Sequence, residues 1–269
     1  MTLSRSVAGG LLLILFLAGQ VNAQSGLSPG YEWKQCDEDV LGLRVNPARV
    51  ENAVGPDMVL KLENGKAMVA ILVQDCSLYW IDGKNLGPNK MIHVLVRIEG
   101  AEDVRPVVGA PHTQPTLSWF GAFTGSTNPR DREARKASGT APEVIESVSL
   151  GAPGYPRGGS VTVGPGERFS WRIESAEPSA GLIGVNHDVY VRDSSGGLIL
   201  KRVQAIARPV AVPSPGVLDI DSDAELAELI GAGRHPTRVY TFFPIWARAT
   251  LGETTAGSGK TCSGGCRQD

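Results

Sequence analysis

The chain has no Gly-x-Ser-x-Gly elbow and no His-Glu-x-x-His pair. The commonest serine-hydrolase and zinc-protease arrangements therefore have no local signal. Aromatic residues make up only 6%, and there are four histidines and four cysteines in 269 residues. Charge of one sign is also missing. The net charge of −2 leaves no electrostatic footprint for nucleic acid. Beyond the first 23 residues no apolar run approaches the length of about 20 residues that a membrane-spanning helix needs. An apolar fraction of 42% with so little net charge excludes a disordered chain.

Glycine (33) and proline (18) are plentiful, which implies many turns and few long helices. Residues 1–23 form a secretory signal peptide: Arg5 precedes an apolar core from Val7 to Gly19, and Val21-Asn22-Ala23 is a small-x-small cleavage site. The expected location is secreted or periplasmic, with no membrane association after cleavage. All four cysteines follow the cleavage site, where disulfides are permitted. Four cysteines allow three pairings. The short Ser-Gly-Gly spacing favours Cys262 with Cys266, which leaves Cys36 with Cys76. Two close pairs are lacking, so no four-cysteine zinc site is expected. No metal or cofactor is predicted.

Period-2 patterns dominate residues 24–252 and predict one mainly β domain, a single large barrel or sandwich-like unit with a few short helices. Asn64-Gly65 joins Met58–Leu62 to Ala67–Gln74 as a hairpin. Met91–Glu99 alternates, with Ile92, Val94, Val96 and Ile98 on one face and His93, Leu95, Arg97 and Glu99 on the other. Ser160–Val163 with Arg168–Glu174, and Val185–Arg192 with Leu198–Ala207, read as further hairpins, and Val239–Phe243 as a late strand. Short helices are expected over Asn46–Val54, Asn128–Ala137 and Ser222–Ile230; the last opens with a Ser222/Glu225 capping box. Residues 253–269 read as a flexible Gly/Ser/Cys-containing tail. Its Gly257-Ser258-Gly259-Lys260-Thr261 run lacks the first glycine of a phosphate loop, because that position is Thr254. Asp219–Glu225 lacks the glycine and the final glutamate of a calcium loop.

Aromatics cluster at Tyr79-Trp80, at Trp119-Phe120-Phe123, where a loop is expected, and at Phe242 to Trp246 with Arg248. Aromatic side chains favour pocket walls, so Tyr79, Trp80, Trp119, Phe123, Tyr190, Phe242, Trp246 and Arg248 are the candidate ligand-binding residues. His93 and Arg97 share a strand face, where a histidine can move a proton and an arginine can hold a carboxylate. They are the candidate catalytic residues together with His187, which shares no face with Tyr190.

The segment from Val45-Asn46-Pro47 through Val54-Gly55-Pro56-Asp57, the Asn64-Gly65-Lys66 hairpin, Asp75-Cys76 and the Met91–Ile98 strand resembles the opening of acetoacetate decarboxylase-like proteins. The resemblance implies a cone-shaped β-barrel with an internal pocket, and a Schiff-base lysine within a Gly-Arg-Glu…Gly-x-Pro-Lys-Lys stretch. The nearest segment here, Arg132-Glu133 through Gly139-Thr140-Ala141-Pro142-Glu143, has Glu143 where that lysine would stand. Three readings follow. The first is an exported protein binding a small, largely apolar molecule in an internal pocket. The second is a lyase- or hydrolase-type enzyme acting on a small carbonyl or carboxylate compound. The third is a surface interaction module without a pocket.

Overall fold

The structure, a computed structural model, describes residues 28–100, 102–136, 140, 143–151, 156–164, 167–173, 181–209, 214–222 and 225–254. The expected signal peptide, Cys262, Cys266 and the expected tail beyond residue 254 lie outside them. Among the described residues, strands β1 (Ser28–Val45), β2 (Leu62–Glu63), β3 (Lys66–Ile81), β4 (Lys84–Arg97), β5 (His112–Thr113), β6 (Leu117–Ser126), β7 (Glu143–Val144), β8 (Ser147–Leu150), β9 (Arg157–Gly164), β10 (Glu167–Ile173), β11 (Ile183–Arg192), β12 (Leu198–Pro209), β13 (Ser214–Ile220) and β14 (Gly233–Thr254) carry the architecture. Helices α1 (Pro47–Val54), α2 (Pro129–Lys136) and α3 (Glu225–Leu229) are short, as the glycine and proline content requires.

Seven strands close a barrel in the order β1-β3-β4-β6-β11-β12-β14, with β14 returning to β1. The 22-residue β14 also carries a second layer: its first residues pair with β13, which continues through β10 and β9 to β8. Local chemistry explains the turns. Asn64 and Gly65 both adopt positive φ (52° and 73°), as a two-residue hairpin turn requires. The Asn46 side chain accepts from Ala48 N at 3.2 Å and Pro47 opens α1, so the Asn-Pro signal works as expected.

The alternation of β4 divides the molecule into two interiors. Ile92, Val94, Val96 and Ile98 point outward and join Leu41, Val69, Ile71, Phe169, Trp171 and Leu218 in the core between barrel and outer layer. His93, Leu95 and Arg97 face into the barrel with the Ala70–Leu95–Trp119–Val189 cluster. At the seam, the fully buried Asp39 accepts from Arg157 Nε (2.9 Å), Trp171 Nε1 (2.9 Å) and Thr241 Oγ1 (2.9 Å), tying β1, β9, β10 and β14 together. Cys36 and Cys76 are register partners on β1 and β3 and form a disulfide.

Several expectations need correction. Trp119, Phe120 and Phe123 lie in strand β6, not in a loop. The first hairpin arm shrinks to Leu62–Glu63, with an isolated bridge from Leu60 to Ile98. The late strand runs far beyond Val239–Phe243, from Gly233 to Thr254. β1 had no counterpart in the sequence reading, because its Glu-Trp-Lys-Gln-Cys-Asp-Glu-Asp run carries too many charges for a simple apolar alternation.

Candidate active site

Inward-facing positions of β12 are set by period 2. Leu198 and Leu200 join the core under the outer layer, whereas Ile199, Val203, Ala205 and Ala207 face the barrel interior. Lys201 falls in that inward phase and is only 9% exposed. Its ammonium lies 5.4 Å from the centroid of the Tyr31 ring. Among the described residues it makes no hydrogen bond and no ion pair. A buried amine without a counter-ion is costly, so it sheds its proton readily. Burial, aided by the positive charge of Arg135 and opposed by Asp131, pushes the Lys201 pKa down to about 7.

Arg135 reaches the same ring, its guanidinium 4.5 Å from the Tyr31 centroid. It comes from α2, whose position is fixed by Asn128. Asn128 Oδ1 accepts from Arg130 N at 2.9 Å, and its amide donates to Leu86 O and Pro88 O. One helical turn separates Asp131 from Arg135, so both point into the barrel. Arg135 Nε donates to Asp131 Oδ1 at 2.7 Å, Tyr79 Oη donates to the same oxygen at 2.9 Å, and Asn89 Nδ2 donates to Asp131 Oδ2 at 3.0 Å. Burial alone would raise the Asp131 carboxyl; the Arg135 charge and hydrogen bond outweigh it and hold the pKa below the usual range.

His93 faces this group and shares a hydrogen bond with Thr124 Oγ1 at 3.3 Å. Burial, with Arg135 and Lys201 nearby, pushes its pKa down to about 3, so the ring is neutral at physiological pH. Further along the barrel wall, the buried Glu38 accepts a hydrogen bond from Gln74 Nε2. Among the described residues Gln74 Oε1 has no partner, and burial drives the Glu38 carboxyl up to about 7, with the charges of Asp39 and Asp37 adding to the rise.

Arg97 and His187 form a separate group. Arg97 stacks 5.4 Å from the Trp119 centroid, and Trp119 Nε1 donates to His187 Nδ1 at 3.1 Å. Burial and the nearby Arg97 and Arg105 push His187 down to about 4, so it is a neutral acceptor. Four residues along β4 separate His93 from Arg97 by about 13 Å, too far for one small substrate to meet both directly.

Of the aromatic candidates, Tyr79 belongs to the buried polar network. Trp80, Trp246 and Arg248 meet on the outer barrel wall in an open cleft of about 590 Å³, with Gly30, Tyr31, Glu32, Asp82 and Gly83. Phe123 and the fully buried Tyr190 pack outward into the core beneath the second layer, and Phe123 lines a void there of about 20 Å³. Phe242 packs at the edge of the Tyr31–Tyr79 cluster and stacks on Tyr240. The sequence reading missed Lys201, Arg135, Asp131, Glu38 and Tyr31. A signal for Lys201 was present: in Ile199-x-Lys201-x-Val203-x-Ala205 it is the one charged residue in an apolar phase. Among the described residues no group of three or more His, Cys, Asp or Glu is placed to hold a metal ion.

No family model matches the chain, and no curated protein matches it. Solved structures do. An acetoacetate decarboxylase from Legionella pneumophila subsp. pneumophila str. Philadelphia 1 superposes with a TM-score of 0.53 at 12% identity, over 98% of each chain. The enduracididine biosynthesis enzyme MppR with bound HEPES buffer gives 0.49 at 10% identity, over 95% of this chain and 98% of that one. An acetoacetate decarboxylase-like enzyme from Sphingomonas wittichii RW1 gives 0.45 at 14% identity, over 92% and 99%. Identities this low speak to architecture and leave chemistry to the site itself. The chain has the acetoacetate decarboxylase-like fold.

Proposed function

We propose that the protein is an exported enzyme that forms an imine between Lys201 and a small oxo-carboxylic acid, as the first step of lyase-type chemistry. The observation that carries the reading is the buried Lys201 amine without a carboxylate partner, beside a second buried cation. A lysine near pKa 7 is substantially unprotonated at neutral pH and is a competent nucleophile. Its nitrogen attacks the carbonyl carbon to form the C–N bond; the carbonyl oxygen takes up protons and leaves as water. In a 3-oxo acid the protonated imine then takes up the electron pair of the bond between the adjacent carbon and the carboxylate, CO2 leaves, and the enamine is protonated on carbon and hydrolysed to free Lys201. Arg135, ion-paired to Asp131, keeps a buried guanidinium beside the amine. A charged lining suits such an acid better than a largely apolar ligand.

The fold also houses a protein named as an acetoacetate decarboxylase. In that family the resemblance places the lysine after Gly-x-Pro. Gly139, Ala141 and Pro142 lie outside the described residues, and Glu143 is an exposed β7 residue here. The proposed amine instead comes from β12. Export rests on the residue 1–23 leader and on the Cys36–Cys76 disulfide, a bond of oxidising compartments.

The test is reductive trapping. Residues 24–269 are incubated with pyruvate or acetoacetate and sodium cyanoborohydride, and the adduct is mapped by mass spectrometry. An adduct on Lys201 that disappears in Lys201→Ala is expected. No adduct, or one spread evenly over exposed lysines, overturns the reading.

A further inference from the structure

The inner wall of the barrel carries a furrow. One row of register partners crosses five strands with its side chains inward: Tyr240 on β14, Val40 on β1, Leu72 on β3, His93 on β4 and Thr124 on β6. Tyr240 is 36% exposed and the other four are half-buried. The inward rows on either side are closed. Glu38, Gln74, Met91 and Ser126 form one, each at most 7% exposed; Ala70 and Leu95 belong to the other, at 5% each. An inward side chain of a closed barrel meets water only within the lumen. The row is therefore a strip of hollow wall that starts at Tyr240. We infer that this furrow holds the alkyl tail of the substrate, so that the acids accepted at Lys201 are 3-oxo acids with an unbranched aliphatic chain longer than that of acetoacetate, and that Val40 and Leu72 select for it. The inference rests on the imine reading and adds a substrate class to it.

Register places both ends of the furrow. β12 pairs with β14 as far as Pro209, opposite Phe242. Beyond that point β14 has β13 as its neighbour, so the barrel wall ends where Tyr240 begins. Tyr240 shares the inward phase of Phe242, and their rings stack at 6.5 Å with planes 5° apart, a flat aromatic surface at the rim. At the other end, Arg135 and Lys201 are close enough to His93 for both charges to depress its pKa. β4 and β12 are three strands apart in one direction around the barrel and four in the other. They stand on nearly opposite walls, and His93 and Lys201 project into the lumen from the two sides.

The furrow chemistry defines the tail. Val40 and Leu72 belong to the apolar inner surface that also holds Ala70, Leu95, Ile199 and Val203. Ile199 and Val203 are the inward neighbours of Lys201 on β12, so a chain joined to the amine through its imine leaves it over apolar wall. Tyr240, Val40 and Leu72 carry no charge and His93 is neutral, so nothing along the row rewards a second carboxylate or an ammonium group. From Leu72 to Tyr240 the row spans two strand spacings, about 10 Å. The terminal methyl of acetoacetate leaves most of that length unused.

The experiment is reductive trapping at Lys201 with acetoacetate, 3-oxohexanoate and 3-oxooctanoate, read as the half-saturating concentration of each. Binding of octanoate, which has no carbonyl to trap, is followed separately by calorimetry. Each added pair of methylenes should lower the half-saturating concentration by about tenfold. Val40→Phe, which fills the furrow, should bring 3-oxooctanoate close to acetoacetate. Tyr240→Ser, at an exposed position on which the core does not depend, should raise half-saturation for 3-oxooctanoate by about threefold and alter 3-oxohexanoate less. Equal half-saturation for the three acids in the parent overturns the furrow while leaving the imine reading intact. A chain-length preference that survives both variants puts the tail elsewhere and also overturns it. Octanoate binding that Val40→Phe weakens, without any trapping, overturns the imine reading and keeps the furrow as a site for aliphatic acids. Neither trapping nor octanoate binding overturns both.

Discussion

Asp131 and Arg135 stand one turn apart on α2, and both side chains turn into the barrel, joined by a 2.7 Å bond from Arg135 Nε to Asp131 Oδ1. Removing Asp131 takes the bonded carboxylate from the buried Arg135. Asp131→Ala is expected to lower stability by about 3–5 kcal/mol in urea denaturation. The double variant Asp131→Leu/Arg135→Met should recover most of that loss. A double variant as unstable as the single one would show that the pair is not the source of the defect.

Lys201 should make the protein less stable than it would otherwise be. Its folded pKa, about 7, lies below the unfolded value of 10.5. The unfolded chain therefore holds the extra proton between those pH values, and stability rises with pH across that window. Lys201→Met is expected to be more stable than the parent at pH 7. The difference should shrink by about 4–5 kcal/mol on approaching pH 10.5. A difference independent of pH between 7 and 10 would contradict a depressed amine.

Glu38 acts in the opposite sense. Its folded pKa, about 7, lies above the ordinary carboxyl value of 4.5, so the folded state keeps the proton longer. Stability is full below pH 4.5 and falls by about 3 kcal/mol as pH rises toward 7. Glu38→Gln should flatten that decline in melts taken from pH 4.5 to 7.5. An unaltered slope would mean the carboxyl ionises normally.

Asp39 joins the barrel to the second layer through Arg157, Trp171 and Thr241. Asp39→Ala leaves Arg157 buried beside only the partly exposed Asp37. A loss of about 3–5 kcal/mol is expected by chemical denaturation. A loss below about 1 kcal/mol would show that Asp37 suffices as counter-ion.

The Cys36–Cys76 bond closes a loop with a sequence separation of 40. Chain-entropy arguments give it about 3–4 kcal/mol. The Cys36→Ser/Cys76→Ser protein should unfold at correspondingly lower denaturant concentration, and adding reductant should not affect it further. Equal midpoints for the two proteins would remove the disulfide from the stability account.

What the sequence revealed depended on local rules. The Asn64-Gly65 turn, the Asn46-Pro47 helix start and the alternation of Met91–Ile98 are each set by a few neighbouring residues, and all three appear in the fold. The outward face of β4 was legible as apolar; that a second sheet would cover it was not, because the pairing of β13 with β14 spans distant segments. The site was harder. Asp131 and Arg135 look like any charged helix until the barrel that receives them is known. Tyr31 lies in a strand whose charges mask its alternation. Trp80, Trp246 and Arg248 line a hollow, but it opens on the outer wall and not inside the barrel.

β14 belongs to both sheets, pairing with β13 along its first residues and with β1 and β12 along the rest. A strand shared in this way denies the two layers separate lives. Pulling the outer sheet away would tear hydrogen bonds from the same backbone that closes the barrel. The amides of β13 and those of the barrel strands should therefore exchange with deuterium through one common global opening, and heating should produce a single calorimetric peak.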